Sequence, residues 1–323
     1  MSKGLLVRAG ALVACFCAAP CAWAWGCKGH QTVALIAEKH LTPEARQLVE
    51  KLLGANPIDP TLKRWCGNAT RDLLVDASTW PDDVRGERRN GPWHYVDIPR
   101  GKHQGSLEEY CGAAGCVTRT IEEQRTVLKD RSADPAKRAE AIRYLIHFVG
   151  DMHQPLHVIT NGDNGGNCVP VKYLDREPLP NPEHPERDDY SPNLHQIWDT
   201  EMVERDMQVA SPYRYADELD EKFRAESAAW EAEGIHVVNW AWEVHTRAES
   251  EVYEAFSTTI PVEPDAKPKS CSDNNHIGKR MLEKHLTADE GYQRRAAKAL
   301  EMGLAEAGVR LAMILNEAAK TNP

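Results

Sequence analysis

The sequence predicts an all-α fold, a single mostly helical domain, on three observations. Apolar residues recur at helical spacing through most of the chain. Convincing alternating strands are nearly absent; only "WHYVDI" and "CVPVKY" suit short extended pieces. No linker divides two cores. The proline-rich "LDREPLPNPEHPERDDYSP" and the polar "VEPDAKPKSCSDNN" read as surface loops, and no internal repeat is visible.

The elements follow in order. "HQTVALIAEKHL" puts Val33, Ile36, Ala37 and Leu41 on one helical face. "TPEARQLVEKLLG" offers Thr42 as N-cap, Pro43 at the first position and Gly54 as C-cap. "PAKRAEAIRYLIHFVGDMHQ" turns apolar over most of its surface in its second half, which marks a central helix. "NLHQIWDTEMVER" opens a helix after Pro192, and a long last helix runs from "TADEGYQ" to "NEAAK".

The first residues have another purpose. Lys3 and Arg8 precede the apolar Ala9–Ala19, and Ala22-Trp23-Ala24 ends the stretch as a small-residue cleavage site. Residues 1–24 are expected to be a cleaved signal peptide, residues 25–323 the mature domain, and the protein secreted or periplasmic. The competing reading is a lipid-attachment box at Leu12-Val13-Ala14-Cys15. No later stretch reaches the ~18 apolar residues of a spanning helix. Asn68-Ala69-Thr70 is a glycosylation sequon.

The formal charge of the 323 residues is −10, and losing Lys3 and Arg8 makes it −12. That disfavours non-specific adhesion to nucleic acid or acidic lipid, although bound cations reverse the sign locally. Of nine cysteines, six remain after the leader: Cys27, Cys66, Cys111, Cys116, Cys168 and Cys271. An even number in an oxidising compartment predicts disulfides, and only Cys111–Cys116, closing "CGAAGC", is close enough in sequence to propose.

The central helix carries the chemistry. His147 and Asp151 are four apart and share a face amid Leu145, Ile146, Phe148 and Val149. A single such pair would simply satisfy itself in the core. The spacing recurs, however, at His195 and Asp199, and isolated His157, Asp82 and His94 lie in apolar settings. All-nitrogen-and-oxygen ligation of this kind suits catalytic zinc with open positions better than a closed structural site. His40, His103, His153, His184, His236, His245, His276 and His285 lack the spacing and read as surface or supporting residues, His153 as one that steadies a ligand.

Seven motifs then fall in one order: W-G-x-x-G-H at Trp25, W-x-D, W-H-Y-x-D, H-F-x-G-D-x-H-Q-P-L-H, G-G-N, N-L-H-x-x-W-D and A-G-x-R-L-A-x-x-L-N. Together they resemble the zinc-dependent single-strand nucleases of the mung bean and fungal S-one/P-one type. The resemblance spans almost the whole mature chain and implies an all-helical fold with three Zn2+ at the base of a cleft. It implies that Asp82, His94, His147 and Asp151 hold one ion, and His157, His195 and Asp199 a second. A third would take His30, Asp151 as a bridge, and the terminal amine and carbonyl of Trp25.

That set explains a mature chain beginning on tryptophan, because only a chain terminus offers an amine beside its own carbonyl for chelation. The plainer reading is that Trp25 packs as an aromatic. Asp82 and Asp151 would act through the ions, and Arg85 would neutralise a phosphate oxygen, unless it is an ordinary surface arginine.

Tyr95 and Asp97 would stack on and hydrogen-bond a base, with Gly165 and Asn167 lining the pocket; core packing is the alternative for Tyr95. Single-stranded RNA and DNA, and nucleotides, are the implied substrates, with a monomer and no obligate protein partner expected. Cys27, between two ligands of the third ion, is disulfide-bonded or perturbs that site. The rivals are a zinc phospholipase C and a secreted zinc-sequestering protein without catalysis.

Overall fold

The computed structural model describes residues 25–67, 69–208, 210–263 and 267–320. The expected leader, residues 1–24, and the sequon's Asn68 lie outside them. Helices dominate, and two pairs of two-residue strands make up the sheet content of the described residues. No helix there is long and apolar enough to cross a membrane.

The first helix, Cys27–His40, buries Val33, Ile36 and Ala37 as its spacing predicts, and Leu41 packs half-buried on the core. It lies along the last helix, Glu290–Lys320, at a contact that Gly308 permits: a Cβ there would stand 2.5 Å from Ile36 Cγ2. Two positions on from Gly308, the fully buried Arg310 bonds His153 Nε2 at 3.2 Å and pairs with Glu306 at 3.0 Å. These two residues are what the terminal A-G-x-R motif contributes to the fold. Thr42 caps Pro43–Ala55 by accepting from Ala45 N–H at 3.2 Å. Gly54 is not its C-cap; the helix continues to Ala55, and the Asn56 side chain donates to the Leu52 carbonyl at 2.9 Å.

The central helix, Pro135–Met152, starts on an Asp134 cap and is buried without interruption from Ala141 to Met152. The helix expected after Pro192 forms in three pieces: Leu194–Gln196, a π-helical turn over Ile197–Glu201, and Met202–Met207. Such wide turns concentrate at functional sites. The last helix starts later than its pattern suggests. Thr287–Ala288 pairs instead, in parallel, with Lys172–Tyr173 of the "CVPVKY" stretch, and Asp289 caps the helix through Tyr292 N–H at 2.8 Å.

"WHYVDI" is half right. Gly91–His94 is a 3-10 turn, and the chain beyond it runs extended beside His157–Thr160, with Val96 N–H on His157 O at 2.8 Å and Thr160 N–H on Ile98 O at 2.9 Å. Periodicity did not single out Val117–Lys129 or the three helices between Pro212 and Arg247. Their buried faces rest on a few residues each: Ile121 and Leu128, Tyr215 and Leu219, Trp230, and Trp240 with Val244. Within the proline-rich loop, Leu179–Pro180 pairs antiparallel with Tyr190–Ser191.

Cys111–Cys116 is bonded as proposed; the other bridges are Cys27–Cys66 and Cys168–Cys271. Cys27 is therefore no competing ligand.

Candidate metal centre

Three groups of side chains converge where the central helix meets the first helix and the His195 segment. His30, His147 and Asp151 form one, Asp82, His94 and His147 a second, and His157, His195 and Asp199 a third; within each, one potential ligand atom per residue lies within 4.8 Å of the others. Asp151 joins the first two. Its Oδ1 is 3.3 Å from His30 Nε2, and its Oδ2 is 2.9 Å from His94 Nδ1 and 3.3 Å from His147 Nε2. All eight residues except Asp82 are buried, and the Asp82 carboxylate itself is only 8% exposed.

Backbone carbonyls aim the rings. Nδ1–H of His147 donates to Ser78 O at 2.7 Å, that of His157 to His94 O at 2.7 Å, and that of His195 to Gly165 O at 2.6 Å. Each bond fixes the tautomer and turns Nε2 towards the cluster. His94 is reversed, with Nδ1 inward and Nε2 3.4 Å from Asn90 Oδ1. His30 stacks on His147 with ring centroids 3.9 Å apart. Gly150 makes room for it, since a Cβ there would stand 3.0 Å from His30 Nδ1.

His147 Nε2 lies 3.1 Å from His94 Nδ1, but other polar atoms of the cluster find no hydrogen-bond partner. Both ring nitrogens of His30, both Asp151 oxygens, Asp82 Oδ1 and His157 Nε2 make no hydrogen bond. Buried groups left this way are costly unless something else satisfies them. Lone pairs aimed at a common centre are what a cation needs, and the donor set fits zinc.

The electrostatics agree. Burial drives the Asp82 carboxyl up to about 7 despite the nearby Arg85 charge, and burial with Asp82 and Asp199 beside it raises Asp151 well above the carboxylate range. Burial raises Asp199 against the pull of His195. Burial, together with neighbouring imidazoles, holds His30, His94 and His157 well below the usual histidine value, and burial holds His147 at about 3. Neutral imidazoles beside carboxylates that resist ionising are poised for a cation to replace protons.

Trp25 is fully buried, and a Cβ on Gly303 would stand 3.5 Å from its ring. Aromatic packing therefore holds it whatever its backbone does. The next N–H, that of Gly26, donates to Asp199 O at 2.7 Å and ties this end of the chain to the third group. Arg85 lies beside the cluster, Nη1 4.0 Å from Asp82 Oδ1, and its charge also reaches Tyr95.

Tyr95 is 39% exposed, which corrects the core alternative. Asp97 is half-buried; burial raises its pKa, with Lys267 opposing. Gly165 sits at φ +58°, where a Cβ would lie 2.7 Å from Leu156 O, and the half-buried Asn167 donates to Asn164 O at 2.9 Å. The buried Asp163 gathers that loop through Gly166 N–H at 3.1 Å and Tyr253 Oη at 2.9 Å.

Two expectations change. His153 steadies no ligand: its Nδ1–H donates to Val149 O at 2.7 Å, and its other nitrogen faces Arg310. The neighbouring Gln154 is the one that reaches the cluster, donating to Asp199 Oδ1 at 2.6 Å. Gln154 lies within the same motif, but nothing in its spacing distinguished it from His153. His245 is fully buried, not on the surface, and faces Val158 O at 3.1 Å.

Fold and site together define a helical protein built around a buried cluster of histidines and aspartates able to hold metal. A family model, S1/P1 Nuclease, matches residues 25–320, and the chain belongs to that family. It is 26% identical over 306 residues to Nuclease S1 of Aspergillus oryzae, an alignment covering 91% of each chain. Nuclease P1 of Penicillium citrinum is 30% identical over 188 residues, 56% of this chain and 59% of the relative. Endonuclease 4 of Arabidopsis thaliana is 32% identical over 196 residues, 56% of each.

Proposed function

We propose that the chain is a secreted zinc-dependent endonuclease and 3′-nucleotidase that hydrolyses single-stranded RNA and DNA to 5′-phosphorylated products. The observation that carries it is the set of buried, unbonded ligand atoms around Asp151, in a member of the S1/P1 nuclease family. Residues 1–24 act as the signal peptide, and residues 25–323 form one nuclease domain that works as a monomer. The start of the family match at Trp25 supports this division.

Asp82, His94, His147 and Asp151 would hold one zinc, and His157, His195 and Asp199 a second. His30, Asp151 and the amine and carbonyl of Trp25 would hold a third. Zinc supplies Lewis acidity, making water a nucleophile near neutral pH and drawing charge from phosphate oxygens.

The chain's own groups do the rest. The Ser78, His94 and Gly165 carbonyls hold the imidazoles in their neutral, ligating tautomers. Arg85 neutralises a non-bridging phosphate oxygen as water adds to phosphorus, the bond to the 3′-oxygen breaks and a proton passes to that oxygen. Tyr95 offers its face to any unpaired base and Asp97 accepts from a base edge, with Gly165 and Asn167 forming the pocket wall. A base inside a duplex cannot reach that face, so single strands are preferred.

The phospholipase reading is overturned by family membership and by relatives named as nucleases. Zinc storage is disfavoured by Arg85, since a guanidinium beside a cation store opposes loading whereas beside a phosphate it assists. The test is the purified mature protein on single-stranded RNA, single-stranded DNA, duplex and phosphatidylcholine, with zinc counted per chain. Faster loss of the single strands to 5′-phosphate ends, abolished by chelator, is expected. Cleavage of phosphatidylcholine alone, or metal binding without turnover, refutes the proposal.

A further inference from the structure

A groove of about 320 Å³ lies against the Trp25–Asp199 flank of the metal centre, lined by Gly26, Lys28, Trp65, Asp199, Thr200 and Val203 among others. Trp65 stands at its rim 54% exposed. An indole this open contributes little to the core, yet its backbone is fastened on both sides. Its N–H donates to Asp83 Oδ1 at 2.9 Å, one residue past the ligand Asp82. The next residue, Cys66, is bonded to Cys27, two residues past Trp25. The indole is thus carried between two ligand-bearing segments.

Cations accompany it. Lys63 Nζ lies 5.4 Å from the ring centroid, and Lys28, paired with Glu204 at 3.0 Å, lines the same groove. Tyr95 belongs to a different flank, on the chain that runs beside His157–Thr160 and next to Arg85. An exposed aromatic with cations nearby is how proteins hold single strands without reading sequence.

We propose that Trp65 and this groove form a second base-binding subsite, which takes a base of the single strand beyond the nucleotide seated on Tyr95. The inference rests on the nuclease reading and extends it from a one-nucleotide pocket to a track along the strand. On this proposal a strand that runs from Tyr95 on to Trp65 gains a stacking contact there that a shorter substrate forgoes.

The test compares kcat and KM of the zinc-loaded mature enzyme and its Trp65→Ala and Trp65→Phe variants on a thymidine decanucleotide and on the thymidine dinucleotide. Trp65→Ala is expected to raise KM for the decanucleotide by ~10-fold, the low end of base–aromatic stacking, with kcat little changed. Its effect on the dinucleotide is expected to be several-fold smaller, and Trp65→Phe to recover most of the loss. Equal losses on both substrates would mean a structural role, and no loss on the decanucleotide would mean no contact; either overturns the subsite while leaving the nuclease reading intact. A wild-type enzyme that cleaves neither substrate overturns both.

Discussion

Asp82→Asn should have opposite effects on the metal-free and metal-loaded protein. In the metal-free state the carboxyl is pushed from its ordinary 3.8 up to about 7, chiefly by burial. A raised carboxyl pKa means that the folded state binds more protons than the unfolded one between those two values. Stability from this group is therefore present at low pH and is lost as pH rises towards 7. At about pH 8 the ionised, buried carboxylate costs roughly 4 kcal/mol, about three pK units at 1.36 kcal/mol each. At about pH 5 the cost is roughly 1–2 kcal/mol, and below about pH 4 it vanishes. Asparagine keeps the shape and removes the charge. Chelator-treated Asp82→Asn should thus be more stable than chelator-treated wild type by up to roughly 4 kcal/mol at about pH 8, with the gain shrinking on acidification.

With zinc the sign reverses, because the variant lacks an anionic ligand. Its zinc content should fall and its single-strand activity drop by ~10³-fold or more, as expected when a metal-assisted step loses a direct ligand. Urea unfolding of both proteins across that pH range, with and without zinc, reads both halves. A metal-free variant less stable than wild type at about pH 8 would refute the idea that this cluster is assembled against its own electrostatics.

Other outcomes follow from the same geometry. One extra alanine before Trp25 in the mature protein turns the amine into an amide; native mass spectrometry should find about one zinc fewer, and activity should fall by ~10²-fold or more. Gln154→Ala removes the donor to Asp199 Oδ1 and should lower zinc affinity or activity by ~10–100-fold, read by chelator competition and a single-stranded RNA assay. Gly165→Ala places a Cβ 2.7 Å from Leu156 O in a left-handed turn whose carbonyl holds His195; it should destabilise the protein by about 1–3 kcal/mol in urea unfolding and reduce activity.

Much of this protein was legible in its sequence, because the relevant signals are local. Helical spacing located the first, second and central helices, and four-residue spacing put His147 with Asp151 and His195 with Asp199 on common faces. The two cysteines that close "CGAAGC" were near enough in sequence to propose as a pair. Ordered motifs named the remaining candidate ligands.

What tertiary structure decided is non-local. No spacing relates Cys27 to Cys66 or Cys168 to Cys271, since loop closure over such lengths is settled by what else packs. The strand pairing of Lys172 with Thr287 overrode a helical start because Leu286 and Ala288 carbonyls were there to accept. His153 and Gln154 are adjacent, and only the fold turned one towards Arg310 and the other towards Asp199. The same holds for the carbonyls of Ser78 and Gly165: any residue supplies a carbonyl, so its role is invisible in sequence and fixed only when the chain brings it to a ring nitrogen.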